Sequence, residues 1–186
     1  VRQAGIRKIV FSSSAGIYGE LKTLPVREDH PVEPDSPYGA SKLAAEKLCL
    51  AYSKLYGLEA LCLRYFNVYG SRQITEGAYA AVIGIFLRQR ASGQPMTVVG
   101  DGAQRRDFTY IGDVVEANIL AWQKDIAGGE IINIGAGQNY SINELTVLIG
   151  GPTASLPARP GEYPLTLADN RKAKKLLGWE PKVKLE

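Results

Sequence analysis

The chain has one histidine, one methionine and two cysteines among its 186 residues. Cys49 and Cys62 lack the close spacing of metal ligands, so no metal centre is expected. They read as buried free thiols, one on a helix and one on a strand, which suits a reducing cytoplasm. Excess charge is scarce too. A formal net charge of +3 is too mild to indicate a nucleic-acid partner, although individual arginines remain for local contact with a diphosphate. No apolar run approaches the ~18–20 residues of a membrane span, and no signal-peptide pattern opens the chain. Internal repeats and low-complexity tracts are missing as well. What is present is ordinary: 45% hydrophobic and 22% charged residues, in a length that fits one domain or the larger part of one.

Hydrophobic periodicity gives strands at 7–12, 59–65, 96–99, around 106–110 and at 130–134. Helices are expected at 37–56, 78–92, 111–124, 142–149 and 170–177. Alternation of this kind argues for an α/β layer architecture. The Gly- and Pro-rich stretch from Gly150 to Pro164 reads as a loop. Ser141-Ile142-Asn143-Glu144 is a capping box, and Asp169 can cap the last helix, with Gly178 at its end. Helix 37–56 is apolar over a broad arc: Leu43, Ala44, Leu48, Leu50, Ala51, Tyr52 and Leu55. Coverage by a sheet alone would need a narrower stripe. A partner subunit would account for the breadth, as would helix packing within the fold.

The most informative stretch is Tyr38-Gly-Ala-Ser-Lys42. Ser36 can cap a helix whose first position is Pro37, and residues four apart share one face. A phenol titrates near ~10, too high for a base at neutral pH. A nearby ammonium favours the phenolate. The pair therefore has the makings of a general base, although the same spacing also produces plain solvated pairs. Strand 7–12 runs into Ser12-Ser13-Ser14-Ala15-Gly16-Ile17-Tyr18-Gly19. In an open parallel sheet, hydroxyls at a strand's carboxyl end face a ligand site.

Downstream follow Arg64-Tyr65-Phe66-Asn67-Val68-Tyr69-Gly70, then Gly100-Asp101-Gly102-Ala103-Gln104-Arg105-Arg106-Asp107-Phe108-Thr109-Tyr110, and finally Arg159-Pro160-Gly161-Glu162. In this order the motifs resemble the extended short-chain dehydrogenase/reductase family, and within it the nucleotide-sugar epimerases. The resemblance implies the C-terminal half of a Rossmann-like parallel sheet with a small α/β substrate-binding lobe. It divides the chain at 76/77, with 111–134 returning to the sheet. It implies NAD as cofactor, a UDP-sugar as substrate and a homodimer in a full-length parent. Neither nucleic acid nor membrane is an expected partner, and the cytoplasm is the expected location.

The same resemblance assigns roles. Tyr38 is the base, Lys42 holds the nicotinamide ribose, and Ser14 bonds the reacting oxygen, with Ser13 its nearest competitor. Ser12, Tyr65 and Phe66 border the cofactor. Asn67, Arg106 and Arg159 face the diphosphate, Glu162 the ribose, and Val82, Ile83 and Val99 the base. Thr166, seven residues after Arg159, bears on substrate range: a small residue there leaves room for an N-acetyl group. Arg72 and Arg105 read as surface charges, Asp107 and Asp113 as organisers of local backbone, and His30 as a solvated loop residue.

Sugar dehydratases of this family follow a Thr or Ser with Asp-Glu. Here Ala15-Gly16 stand in those places, and neither transfers a proton, so elimination lacks its machinery. The expected reaction is 4-epimerisation of a UDP-hexose or UDP-N-acetylhexosamine through a 4-keto sugar. The alternatives are a reductase or a 2- or 5-epimerase of the same family, or a non-catalytic nucleotide-sugar-binding remnant. Family members also open with a strand, a Gly-rich turn and a helix that hold the NAD pyrophosphate. No G-x-G-x-x-G or G-x-x-G-x-x-G follows an early strand here. This segment alone is therefore expected neither to bind NAD tightly nor to turn over.

Overall fold

A computed structural model describes residues 4–77, 80–158 and 163–186. In chain order its elements are β1 (Lys8–Ser14), one turn of 3-10 helix (Ala15–Ile17), α1 (Pro37–Tyr56), β2 (Glu59–Tyr65), β3 (Val68–Tyr69) and α2 (Val82–Ala91). Then come β4 (Met96–Val99), β5 (Arg105–Arg106), β6 (Thr109–Tyr110), α3 (Ile111–Gln123) and β7 (Gly129–Ile134). Last are β8 (Tyr140–Ser141), α4 (Ile142–Ile149), β9 (Thr153–Leu156) and α5 (Arg171–Leu177).

The main sheet runs β1-β2-β7, all parallel, with Ser14 opposite Tyr65 and Tyr65 opposite Ile134. Its strands therefore end level, and their carboxyl ends form one ledge. Side-chain alternation along β2 decides how the sheet is covered. Leu61 and Leu63 meet Val114, Ala117 and Ala121 of α3, Ala173 and Leu177 of α5, and Trp179. Arg64 points to the opposite face, where α1 lies. Both faces are thus closed, which a parallel sheet requires. A separate apolar cluster joins Ile83 and Phe86 of α2, Met96 and Val98 of β4, Phe108, Tyr140, and Ile142 and Leu145 of α4. Around it β4 pairs with β9 in parallel and β5 with β8 antiparallel, while β3 pairs with β6 beside the main sheet.

Local chemistry sets several boundaries. Ser36 Oγ accepts the Gly39 N–H at 3.1 Å, Pro37 opens α1, and Gly57 closes it in the left-handed region at φ 69°. The Ser141–Glu144 capping box forms in both directions. Asn170 holds the cap position of α5, and the Asp169 carboxylate accepts the Arg171 N–H from one residue further out. Among the described residues no helix is long and apolar enough to cross a membrane, and no His/Cys/Asp/Glu group is gathered for a metal.

Several expectations need correction. The 150–164 loop contains β9, whose partner β4 lies more than fifty residues away, so local composition could not reveal it. The strand around 106–110 is two strands, β5 and β6, that pair with different partners. Strand β1 extends two residues past its expected end, through the serines. Among the described residues α2 begins at Val82; Ala78 and Tyr79, within the expected helix, lie outside them. His30 is buried, not solvated: it meets Tyr18 edge-on, its Nε2 accepts the Lys22 N–H, and its Nδ1 faces the Pro31 carbonyl. Arg105 is no free surface charge, because it bonds the Asn139 side chain and carbonyl and pairs with Glu144. Cys62 is buried and burial pushes its thiol up, whereas Cys49 is half-buried. On α1 the fully buried positions are Gly39, Glu46 and Ser53, while Leu48, Tyr52 and Leu55 are exposed. Packing within the described fold does not cover that outer apolar face.

Candidate functional site

The site is assembled where the ledge of strand ends meets the start of α1. Lys42 Nζ donates to the Ser12 carbonyl at 2.9 Å and lies 5.7 Å from the Tyr38 ring centroid and 5.4 Å from that of Phe11. The helix thereby turns its phenol and its ammonium toward the end of β1. Tyr38 is 51% exposed, open to whatever enters. Gly39 makes this approach possible, since a Cβ there would stand 2.5 Å from the Gly16 carbonyl. Gly16 in turn lies beside both players. A Cβ on it would come within 3.4 Å of Ser14 Oγ and 3.9 Å of the Tyr38 ring.

Each of the three serines has a different task. Ser12 supplies the carbonyl for Lys42, and its hydroxyl meets the Tyr65 hydroxyl at 3.0 Å. Ser13 is buried and donates to Glu46 Oε2 at 3.0 Å. Ser14 Oγ accepts the Gly16 N–H at 3.1 Å at the cavity wall. Beneath them Glu46 and Arg64 form a bidentate pair, at 2.6 and 3.1 Å, with both side chains almost wholly buried. The guanidinium also donates to the Glu28 carbonyl and lies 4.7 Å from the Tyr18 ring, whose hydroxyl donates to Asn133. Burial pushes the Tyr18 phenol up to about 12. Sequence reading missed Glu46, eight residues after Tyr38 on the same helical face. That spacing was the available signal, but a charged residue on a helix ordinarily reads as solvated.

Two adjoining cavities open here. One, of about 430 Å³, is lined by Ser14, Tyr38, Tyr65, Phe66, Asn67 and Thr166, among others. The second, of about 290 Å³, is lined by Val82, Ile83, Val99, Phe108, Gln104 and Thr97, among others. Asn67, Val68 and Arg106 line both, so they form the partition. Arg106 is braced by donating to the carbonyls of Arg105 and Tyr163. The Tyr65 hydroxyl bonds Asn118, and Phe66 belongs to the buried cluster around Ile17 and Val26 while also meeting the cavity. Arg159 and Glu162 lie outside the described residues. Gln104, Phe108, Thr97 and Tyr163 were not singled out from sequence. The first two lie inside the Gly100–Tyr110 motif, but only folding turns them toward the cavity. Burial and the Asp35 carboxylate raise the Tyr163 phenol to about 12.

Behind the partition, Asp107 joins the two regions. Its carboxylate accepts the N–H groups of Ala136, Gly137 and Ala168. Burial raises its carboxyl to about 6 against the pull of those donors. Asp113 similarly accepts the N–H groups of Lys182 and Val183. Both aspartates organise backbone.

Comparison with known proteins fits this geometry. Residues 1–135 match the NAD dependent epimerase/dehydratase family. A UDP-glucose 4-epimerase from Mycolicibacterium smegmatis is 38% identical over 191 residues, covering 99% of this chain and 60% of that protein. The solved structure of a UDP-glucose 4-epimerase from Thermotoga maritima with UDP-glucose superposes with a TM-score of 0.92 at 38% identity, over 98% of this chain and 61% of that one. A UDP-N-acetylglucosamine 4-epimerase from Methanobrevibacter ruminantium, in complex with UDP-N-acetylmuramic acid, gives 0.91 at 36%, over 97% and 59%. This chain spans about three fifths of the length of the curated relatives it matches.

Proposed function

The chain belongs to the NAD dependent epimerase/dehydratase family, and on that premise we propose that it carries the catalytic and sugar-binding portion of a UDP-sugar 4-epimerase. UDP-hexoses or UDP-N-acetylhexosamines would be its substrates. One observation carries the reading: Tyr38 and Ser14 line the same cavity as Asn67, Arg106 and Thr166, next to an apolar cavity of a size for a base.

Tyr38 takes the proton of the sugar's C4 hydroxyl while the Ser14 hydroxyl bonds that oxygen. Arg106 and Asn67, on the partition, hold the diphosphate. Val82, Ile83 and Val99 receive the base, while Arg159 and Glu162 are assigned to the diphosphate and ribose by their motif. The sugar, tethered by its phosphates, turns over in the larger cavity and presents its other face. Tyr38 then returns the proton, and C4 is inverted. NAD, when bound, accepts the C4 hydride and gives it back. The residues present fit its nicotinamide end. Lys42 spends one of its three donors on the Ser12 carbonyl and stands beside Tyr38, and the Ser12 hydroxyl in turn meets Tyr65. Ala15 and Gly16 supply no acid or base, which favours re-reduction over loss of water.

The remaining parts of the proposal concern organisation. Residues 1–76, with 111–134, form the catalytic part, and most of 77–186 forms the nucleotide lobe. The exposed Leu48, Tyr52, Leu55 and Tyr56 of α1 support a homodimer, and two free thiols support a cytoplasmic setting. The test is turnover, in a longer protein that joins this chain to a Gly-rich cofactor half. UDP-glucose, UDP-N-acetylglucosamine and UDP-glucuronate are supplied in turn and the products resolved by chromatography. Conversion of at least one to its C4 epimer is expected, and Tyr38→Phe should lower kcat by about 100- to 10,000-fold. Conversion of none would overturn the proposal.

A further inference from the structure

Counting protons around Thr166 gives it a second property besides its size. The Asp107 backbone N–H, which can only donate, lies 3.0 Å from Thr166 Oγ1. The Thr166 backbone is held beside it. Its own N–H bonds the Arg105 carbonyl at 3.1 Å, and its carbonyl accepts Asn139 Nδ2 at 3.1 Å. Asp107 is pinned by the three amides of Ala136, Gly137 and Ala168. The single hydroxyl proton is then directed to Asn67 Oδ1, 3.3 Å away. With Oδ1 turned to Thr166, the two Nδ2 donors stand on the other side of the amide. The flipped amide would set Nδ2 against Thr166, leave the hydroxyl proton without that acceptor, and turn a carbonyl oxygen on the ligand.

We infer that Thr166 is a positioning residue: its hydroxyl holds Asn67 with the amide N–H groups committed to the cavity. The partition therefore turns N–H donors on its ligand, which suits a group carrying acceptor oxygens; a nucleoside diphosphate's phosphates are the best match. This inference rests on the nucleotide-sugar reading and sharpens it. A residue acting through size alone could be replaced by valine, which has nearly threonine's shape and no hydroxyl.

The test is calorimetric titration of UDP into the wild-type chain, Thr166→Val, Thr166→Ser, Asn67→Ala and the Val/Ala double variant. Melting curves establish that each is folded. Thr166→Val is expected to weaken UDP about tenfold, the loss of roughly one hydrogen bond to a charged group. Thr166→Ser, which keeps the hydroxyl, should stay within about twofold of wild type. The double variant should bind no more weakly than Asn67→Ala, because the hydroxyl acts only through that amide. Wild-type affinity in Thr166→Val, or losses that simply multiply in the double variant, would overturn the inference while leaving the nucleotide reading intact. No UDP binding by the wild-type chain would remove both.

Discussion

The side of the site built on β1, β2 and α1 is held by buried charge, whereas the side built on α2, β4 and α4 is held by apolar packing. On the first, Glu46 and Arg64 lock α1 to the strands at one register, with Ser13 bonded to the same carboxylate. A hydrogen-bonded pair fixes direction and spacing, which a base and a proton donor must share. On the second, Ile83, Phe86, Met96, Val98 and Leu145 form a surface that needs shape more than direction. Reacting groups therefore sit on the directional half, and the proposed base pocket on the adaptable half.

The largest expected break in this contrast comes from Glu46→Ala. It leaves the Arg64 guanidinium buried without its partner and should cost about 3–5 kcal/mol in urea unfolding. A loss below about 1 kcal/mol, the range of surface pairs, would mean that the pair does not index the helix.

Asp107, which joins the two halves, gives the next effect. Burial lifts its folded pKa from an ordinary 3.8 to about 6, so the protonated form is favoured in the fold. Its contribution to stability is full below about pH 4 and is lost as pH climbs through 6, on the order of 2–3 kcal/mol. The melting-temperature difference between wild type and Asp107→Asn should therefore move against wild type as pH rises from 4 to 7. A constant difference across that range would contradict this account.

The smallest change belongs to the apolar half. Val98→Ala removes two buried carbons and should cost about 1.5 kcal/mol, with UDP affinity nearly unchanged. An effect as large as that of Glu46→Ala would erase the contrast between the halves.

How much of this the sequence displayed depended on range. Helix α1 and strand β2 were legible to the residue, because Ser36-Pro37, Gly57 and a short aliphatic run ending in Tyr65 mark them locally. Strand β9 was not, since its four residues are flanked by Pro152 and Pro157 and gain strand character only by pairing with β4. Arg105 and His30 looked exposed because neighbours in sequence say nothing of Asn139 or Tyr18. The cavity gathers residues from Ser13 to Thr166, so only the order of motifs could name its members in advance. The Glu46–Arg64 pair beneath it carried no such mark. Burial of a charge is decided by the whole fold.

The most direct measurement is a structure of the chain with UDP-glucose bound. The account predicts the sugar in the larger cavity, its C4 oxygen about 3 Å from both the Tyr38 hydroxyl and Ser14 Oγ, and uracil among Val82, Ile83 and Val99. A sugar seated elsewhere, or a C4 oxygen out of reach of Tyr38, would contradict it.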